Sequence, residues 1–125
     1  MEYHEPVMLE EVLEYLDLKR GSLVGDGTLG NAGHAVEMAR RIGPGGILVG
    51  IDRDPQMLAI GRERLEEAFA SGGPGLHFFA GSFERMPEVL AKIAGDRGAD
   101  AILLDLGLNS LQLEDASRGF AFSRE

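Results

Sequence analysis

Short hydrophobic runs alternate with amphipathic segments along most of the chain. Four runs have the length and composition of β-strands, and they begin near Ser22, Ile47, Leu76 and Asp100. In the intervals between them, apolar residues recur every three or four positions, which is the period of an α-helix. Strands that alternate with helices are typical of β-α-β units on a parallel sheet. The pattern therefore predicts an α/β fold with a parallel sheet of about four strands.

The predicted helices have apolar faces and suitable terminal residues. A leading helix runs from Pro6 to about Leu16. Asp54 is placed to cap the helix after the second strand, with Pro55 at its first helical position, and Pro87 opens the last helix. The helix after the first strand has an apolar stripe formed by Ala35, Val36, Met38, Ala39 and Ile42, and the next helix has Met57, Leu58, Ile60, Leu65 and Phe69.

These elements fit one domain. We predict a leading helix within residues 1–20, β-α units in residues 21–106, and a tail in residues 107–125 that has neither helix nor strand. A chain of 125 residues with 44% hydrophobic composition is long enough for one packed core.

Composition narrows the functional classes. The chain has no cysteine, which excludes disulfides and thiolate metal sites, and its three histidines lack the spacing of metal ligands. We find no signal sequence and no run of about 18 apolar residues, so we expect a soluble, cytoplasmic protein. The net charge of −9 on its own argues against nucleic-acid binding, unless the basic surface lies in another part of a larger protein.

The turn after the first predicted strand is rich in glycine. Gly25, Gly27 and Gly30 form a G-x-G-x-x-G pattern, the fingerprint of a dinucleotide site, and Gly33 follows shortly after. Glycine lets a ligand touch the backbone, and the N–H groups at a helix start attract anions. The same turn would also suit S-adenosylmethionine. Alternatively, the glycines serve only to pack the following helix against the sheet.

Three aspartates are candidates for cofactor contacts. Asp52 ends the second strand, where an acidic residue can bind both hydroxyls of an adenosine ribose, but dinucleotides and S-adenosylmethionine both contain that ribose. Asp26 favours S-adenosylmethionine, because it would attract the methionine ammonium and disfavour a pyrophosphate. Asp105 ends the fourth strand, where ligands of open α/β sheets bind. Phe83, after the third strand, can lie beside an adenine or belong to the core.

Five segments, in order along essentially the whole chain, resemble the RsmH (MraW) methyltransferases, which modify the N4 amino group of a cytidine in bacterial 16S ribosomal RNA. The segments are HEPVMLEEVLEYL at 4–16, GDGTLGNAGHA at 25–35, GIDRDPQML at 50–58, GSFERM at 81–86 and ILLDLGLNSLQLEDASRGFAF at 102–122. The resemblance implies a Rossmann-like class I fold that binds S-adenosylmethionine, and an rRNA methyltransferase whose partner is the 16S rRNA of the small ribosomal subunit.

The resemblance also assigns cofactor contacts. They are Ala32, Gly33 and His34 in the turn, Asp52 at the ribose, Phe83 near the adenine, and Asp105 and Gln112 near the methionine and methyl end. Asp105 is in addition the candidate catalytic residue.

The chain departs from the family pattern in two ways. Ala32 stands where the family usually has glycine, and Leu111 where it usually has proline. The chain also stops where family members continue, so we expect a truncated N-terminal part with strand order 3-2-1-4. Its fourth strand would then be an exposed edge, which a homodimer would cover. A nicotinamide-dependent oxidoreductase domain and a non-catalytic S-adenosylmethionine-binding module are the competing interpretations.

Overall fold

The computed structural model describes residues 9–30, 32–105 and 120–123, with the backbone alone at Leu9, Val12, Asp105 and residues 120–123. The strands are β1 (Leu23–Asp26), β2 (Ile47–Asp52), β3 (Gly75–Ala80), β4 (Ala101–Asp105) and β5 (Phe120–Ser123). The α-helices are α1 (Leu9–Leu16), α2 (Gly33–Ile42), α3 (Pro55–Ala68) and α4 (Met86–Ala94). Two 3₁₀ turns, Phe83–Arg85 and Gly95–Arg97, flank α4.

The strands form one parallel sheet in the order β3-β2-β1-β4-β5. The four predicted strands and their order are therefore confirmed. From β1 the chain moves outward to β2 and β3, and then crosses back to place β4 on the other side of β1. Because the direction of winding reverses there, β1 and β4 flank the topological switch point of the sheet.

Helices cover both faces of the sheet. On one face, α1, α2 and α3 pack on a core cluster that includes Val24, Leu48 and Leu103. On the other face, α4 packs on a cluster that includes Leu23 and Val49. Successive strand residues point to opposite faces, so every one of these central strands contributes to both clusters and is apolar up to the aspartate that ends it.

The apolar stripe predicted for α2 is confirmed, since all five of its residues are buried. The stripe predicted for α3 is only partly buried: Leu65 is fully inaccessible, whereas Met57, Leu58, Ile60 and Phe69 are half-buried. α3 packs over β2 and β3, and β3 is the last strand on its side of the sheet. The predicted cap is confirmed, as Asp54 Oδ1 accepts a hydrogen bond from the Gln56 N–H at 2.9 Å.

The prediction that residues 107–125 contain no strand is wrong. Phe120–Ser123 forms β5, which pairs in parallel with β4 from Ile102 to Asp105. The edge of β4 is therefore covered by the same chain, which removes the reason for expecting a homodimer at that edge. A four-residue strand is too short to be recognised from periodicity, and its partner strand stabilises it.

The amino ends of β1 and β4 are held together by a pair of short hydrogen bonds. Leu23 N–H donates to Asp100 Oδ2 at 2.7 Å, and Asp100 N–H donates to the Leu23 carbonyl at 2.7 Å. Arg97 adds hydrogen bonds to the Gly21 carbonyl at 2.6 Å and to Asp100 Oδ2 at 3.3 Å. The Leu23–Asp100 bonds join residues 77 positions apart in the sequence, and the Arg97–Gly21 bond joins residues 76 positions apart.

Candidate functional site

The candidate site lies at the carboxyl edge of the sheet, beside the switch point between β1 and β4. Asp26, Asp52 and Asp105 are the last residues of β1, β2 and β4, so parallel pairing brings the ends of these strands to one edge. Phe83 follows the end of β3 at the same edge. The fold thus gathers the sequence-predicted residues that the structure describes.

The glycine turn continues β1 between its two neighbouring strands. Gly27 N–H donates to the Leu103 carbonyl of β4 at 2.9 Å, and Leu29 N–H donates to the Ile51 carbonyl of β2 at 2.9 Å. Asp26 is 2% exposed, and its Oδ1 accepts a hydrogen bond from the Thr28 N–H at 3.1 Å. The Asp26 carboxylate, which in the sequence favours S-adenosylmethionine, therefore also stabilises the glycine turn.

Asp52 joins the glycine turn to the end of β2. Its Oδ2 accepts a hydrogen bond from the Gly30 N–H at 2.7 Å, and its Oδ1 accepts one from the Asp54 N–H at 2.9 Å. Its carbonyl accepts a third from the Gly81 N–H at 2.8 Å, which ties in the end of β3. Asp54 caps α3, as the sequence predicts, and Asp52 faces the glycine turn. A carboxylate has about four acceptor positions, so a ribose hydroxyl can still bind to it.

Phe83 lies against the glycine turn. A Cβ atom built on Gly27 would lie 2.7 Å from the Phe83 Cβ, so the two backbones are in close contact only because residue 27 is glycine. Phe83 opens the 3₁₀ turn, which the Ser82 hydroxyl caps by accepting a hydrogen bond from the Glu84 N–H at 3.2 Å. Phe78 and Phe79 pack against the two core clusters, whereas the half-buried Phe83 stands at the edge of the site.

Ala32, Gly33 and His34 connect the glycine turn to α2. Ala32 is fully buried and left-handed, with φ 66° and ψ 26°, and it precedes the first residue of the helix, Gly33. His34 is in the first helical turn and is 6% exposed. The departure at Ala32 thus falls at a position whose backbone conformation favours glycine.

Two predicted contacts are not placed by the structure. The backbone of Asp105 ends β4 opposite Ser123 of β5, and its side chain lies outside the description. Gln112 lies outside the described residues altogether.

Clusters of potential metal ligands and membrane-spanning helices are both absent from the described part of the chain. Residues 9–30, 32–105 and 120–123 contain no cluster of three acidic or histidine side chains that could hold a metal ion. No helix within those ranges is both long enough and apolar enough to cross a membrane.

Sequence reasoning missed three residues around the turn: Leu29, Gly50 and Gly61. Leu29 is 3% exposed and packs in the space left by the two glycines. An isolated glycine in a strand or helix does signal a close approach. The sequence does not say which group makes that approach.

Chemically, the site offers a glycine-rich backbone, an adjacent carboxylate at the end of β2 and an aromatic residue after β3. A carboxylate suits ribose hydroxyls, the ring suits a base, and a backbone without side chains lets an elongated ligand lie close. These features suit a nucleoside-containing cofactor.

Comparisons with known proteins agree with this geometry. The model of the MraW methylase family matches residues 1–125. A relative named ribosomal RNA small subunit methyltransferase H, from Geobacter sulfurreducens, is 47% identical over 119 residues, covering 95% of this chain and 37% of the relative. The protein of the same name from Alcanivorax borkumensis is 43% identical over 122 residues, covering 98% and 37%. The chain therefore spans about 37% of the length of these curated relatives.

A solved structure supports the fold. The crystal structure of an RNA methyltransferase from Salinibacter ruber in complex with S-adenosyl-L-homocysteine matches with a TM-score of 0.60 and 24% identity. The match covers 85% of this chain and 61% of that chain. The α/β architecture predicted from the sequence is thus the one found in this RNA methyltransferase structure.

Proposed function

Since this chain belongs to the MraW methylase family, we propose that it is the cofactor-binding part of an S-adenosylmethionine-dependent methyltransferase. The observation that carries the proposal is the hydrogen bond from the Gly30 N–H to Asp52 Oδ2, which sets a carboxylate beside a glycine turn at the switch point. The names of the relatives support a substrate in the RNA of the small ribosomal subunit. The resemblance supports the N4 amino group of a cytidine in 16S rRNA as the methyl acceptor.

The described residues suggest how the cofactor binds. Asp52 accepts hydrogen bonds from the ribose hydroxyls, and Phe83 lies beside the adenine. Ala32, Gly33 and His34 line the turn. Asp105 and Gln112 complete the methionine and methyl end, following the family pattern. Because Asp52 is already held by two backbone N–H groups, it needs little reordering when the ribose arrives.

The bound cofactor would supply a methyl group on a sulfonium. Transfer is an in-line displacement, so the protein mainly aligns the acceptor amine with that methyl group and accepts a proton from the amine. The exocyclic amine of cytosine is a poor nucleophile because its lone pair is delocalised into the ring. Asp105, at the end of β4, is our candidate for accepting an N–H bond from this amine or for binding the methionine ammonium.

The charge of the chain sets a limit on what it does alone. Its net charge of −9, taken on its own, argues against binding to the phosphates of RNA. We therefore assign the main RNA contacts to the part of the protein that the relatives have beyond this region. In that arrangement the protein works in the cytoplasm on the small ribosomal subunit, and this chain holds the cofactor.

Isothermal titration of the chain with S-adenosylhomocysteine, using NADH as the comparison ligand, tests the proposal. We expect saturable binding of S-adenosylhomocysteine and none of NADH. Binding of NADH instead would favour the oxidoreductase alternative, and binding of neither would show that this region does not hold a cofactor by itself.

A second experiment tests the role of Asp105 in the complete enzyme. We expect Asp105→Asn to lower either the affinity for S-adenosylmethionine or the rate of methyl transfer to small ribosomal subunits. If both stay unchanged, Asp105 has neither role. Cofactor affinity in a full-length protein that methylates no RNA would instead indicate a non-catalytic binding module.

A further inference from the structure

Leu29 is the large apolar residue of the glycine turn, and both of its backbone groups are hydrogen-bonded. Its N–H donates to the Ile51 carbonyl of β2 at 2.9 Å, and its carbonyl accepts the Ala32 N–H at 2.8 Å. Its side chain points inward and is 3% exposed. Leu29 is thus fixed at both the backbone and the side chain.

The space that Leu29 fills is made by two glycines on different elements. A Cβ atom on Gly50 of β2 would lie 3.0 Å from both methyl groups of Leu29. A Cβ atom on Gly61 of α3 would lie 2.8 Å from one of them and 2.5 Å from the Gly30 carbonyl oxygen. We call Gly50 and Gly61 the leucine socket, because the strand and the helix can both approach Leu29 only where they lack side chains.

The leucine socket is directly connected to the candidate ribose site. Gly30 follows Leu29, and its N–H donates the 2.7 Å hydrogen bond to Asp52 Oδ2. Its carbonyl faces Gly61 on α3. A shift of Leu29 out of the socket therefore moves both polar groups of Gly30, and with them the bond to Asp52.

We propose that Leu29 is a positioning residue, which holds the cofactor turn in its binding-competent shape by packing into the socket formed by Gly50 and Gly61. The inference rests on the proposed function, since it takes this turn to be where S-adenosylmethionine binds. Leu29 does not contact the cofactor. It acts through Gly30 and Asp52, by keeping the turn in one conformation before the ligand arrives.

The test compares two leucines of similar burial. Leu29→Ala empties the socket. Leu23→Ala leaves a cavity at the opposite end of β1, where Leu23 is 0% exposed and belongs to the core cluster on the α4 face. Both variants should lower stability by a similar amount, because both delete a buried leucine side chain. Only Leu29→Ala should weaken the binding of S-adenosylhomocysteine, by at least about tenfold, as expected if the competent turn is populated a tenth of the time or less.

Rescue and local exchange separate positioning from simple destabilisation. Leu29→Met refills the socket with a similar volume and should keep the affinity within about twofold of the original chain. Hydrogen exchange of the Gly30 and Ala32 amides should be at least about tenfold faster in Leu29→Ala than in Leu23→Ala, because the turn opens locally. If Leu29→Ala does not fold, Leu29→Val and Leu23→Val are compared in the same way.

The outcomes separate this inference from the proposed function. Equal loss of affinity in the two alanine variants, or equal exchange at Gly30 and Ala32, would overturn the positioning role. If the original chain does not bind S-adenosylhomocysteine, the proposed function fails for this chain. The exchange comparison needs no ligand, and it still decides whether Leu29 holds the turn.

Discussion

Gly27 should be a position where alanine destabilises the protein, although its backbone conformation accepts alanine. Its φ lies outside the left-handed region, so the loss of glycine's freedom in the unfolded chain favours alanine by about 0.4–1 kcal/mol. The added Cβ would, however, overlap the Leu104 Cδ2 and lie 2.7 Å from the Phe83 Cβ. The leucine methyl can rotate away. The Phe83 Cβ is bonded to the backbone, so the 3₁₀ turn has to move.

Overpacking of this kind costs about 1–3 kcal/mol. Subtracting the gain in the unfolded state leaves a range of about 0–2.6 kcal/mol, so we expect Gly27→Ala to lower the free energy of unfolding by about 1.3 kcal/mol, the middle of that range. For a chain of this size the melting temperature would fall by roughly 5 °C. The affinity for S-adenosylhomocysteine should fall as well, because Phe83 is displaced from its place beside the turn.

Gly75→Ala is the matched control. Gly75 is the first residue of β3, its φ is also outside the left-handed region, and the nearest atoms to an added Cβ are all 3.9 Å away. This variant should be as stable as the original chain or up to about 1 kcal/mol more stable. Urea unfolding and thermal melting of both variants measure the difference. A Gly27→Ala chain that is at least as stable as Gly75→Ala would refute the close-contact argument.

Three further substitutions test neighbouring parts of the site. Asp54→Ala should cost about 1 kcal/mol in urea unfolding through the lost cap on Gln56, with unchanged affinity for S-adenosylhomocysteine. Asp52→Asn should lower both stability and affinity in the same assays, because an amide nitrogen would face a backbone N–H; unchanged affinity would exclude the ribose role. Ala32→Gly should change the free energy of unfolding by less than about 1 kcal/mol, because relief of the left-handed strain offsets the lost methyl group. Ala39→Gly should lower it by about 2 kcal/mol, because the change removes a buried methyl group and places a glycine inside α2. Equal losses in these two glycine variants would contradict the strain at Ala32.

Features set by local sequence were predictable. The apolar stripe of α2 follows from a 3.6-residue period, and the division of roles between Asp52 and Asp54 follows from Pro55, which marks the helix start. The position of Asp52 opposite the glycine turn also followed, because parallel strands bring their carboxyl ends to one edge. Each of these inferences needs only neighbouring residues and the geometry of one β-α-β unit.

Features that depend on distant partners were not predictable from pattern alone. The strand β5 exists because β4 offers it a parallel partner, and its four residues carry little signal of their own. The partial burial of α3 depends on its position over β3, the last strand on one side of the sheet. The sequence does not explain why residues 50 and 61 are glycines, because the explanation involves three separate segments. Only the structure shows that the Leu29 side chain packs between Gly50 and Gly61.

The pairing of β1 with β4 has a consequence for how the chain acquires its binding site during synthesis. The Leu23–Asp100 bonds close a loop of 77 residues, whereas β1 and β2 are consecutive strands, so the β4 side carries the larger entropic cost of closure. A nascent chain that has emerged only as far as β3 contains the whole glycine sequence, but the Gly27 N–H still lacks its partner, the carbonyl of Leu103. The glycine turn is therefore completed by a strand synthesised long after it, and the proposed cofactor site has its full set of backbone partners only once the central strand has a neighbour on both sides.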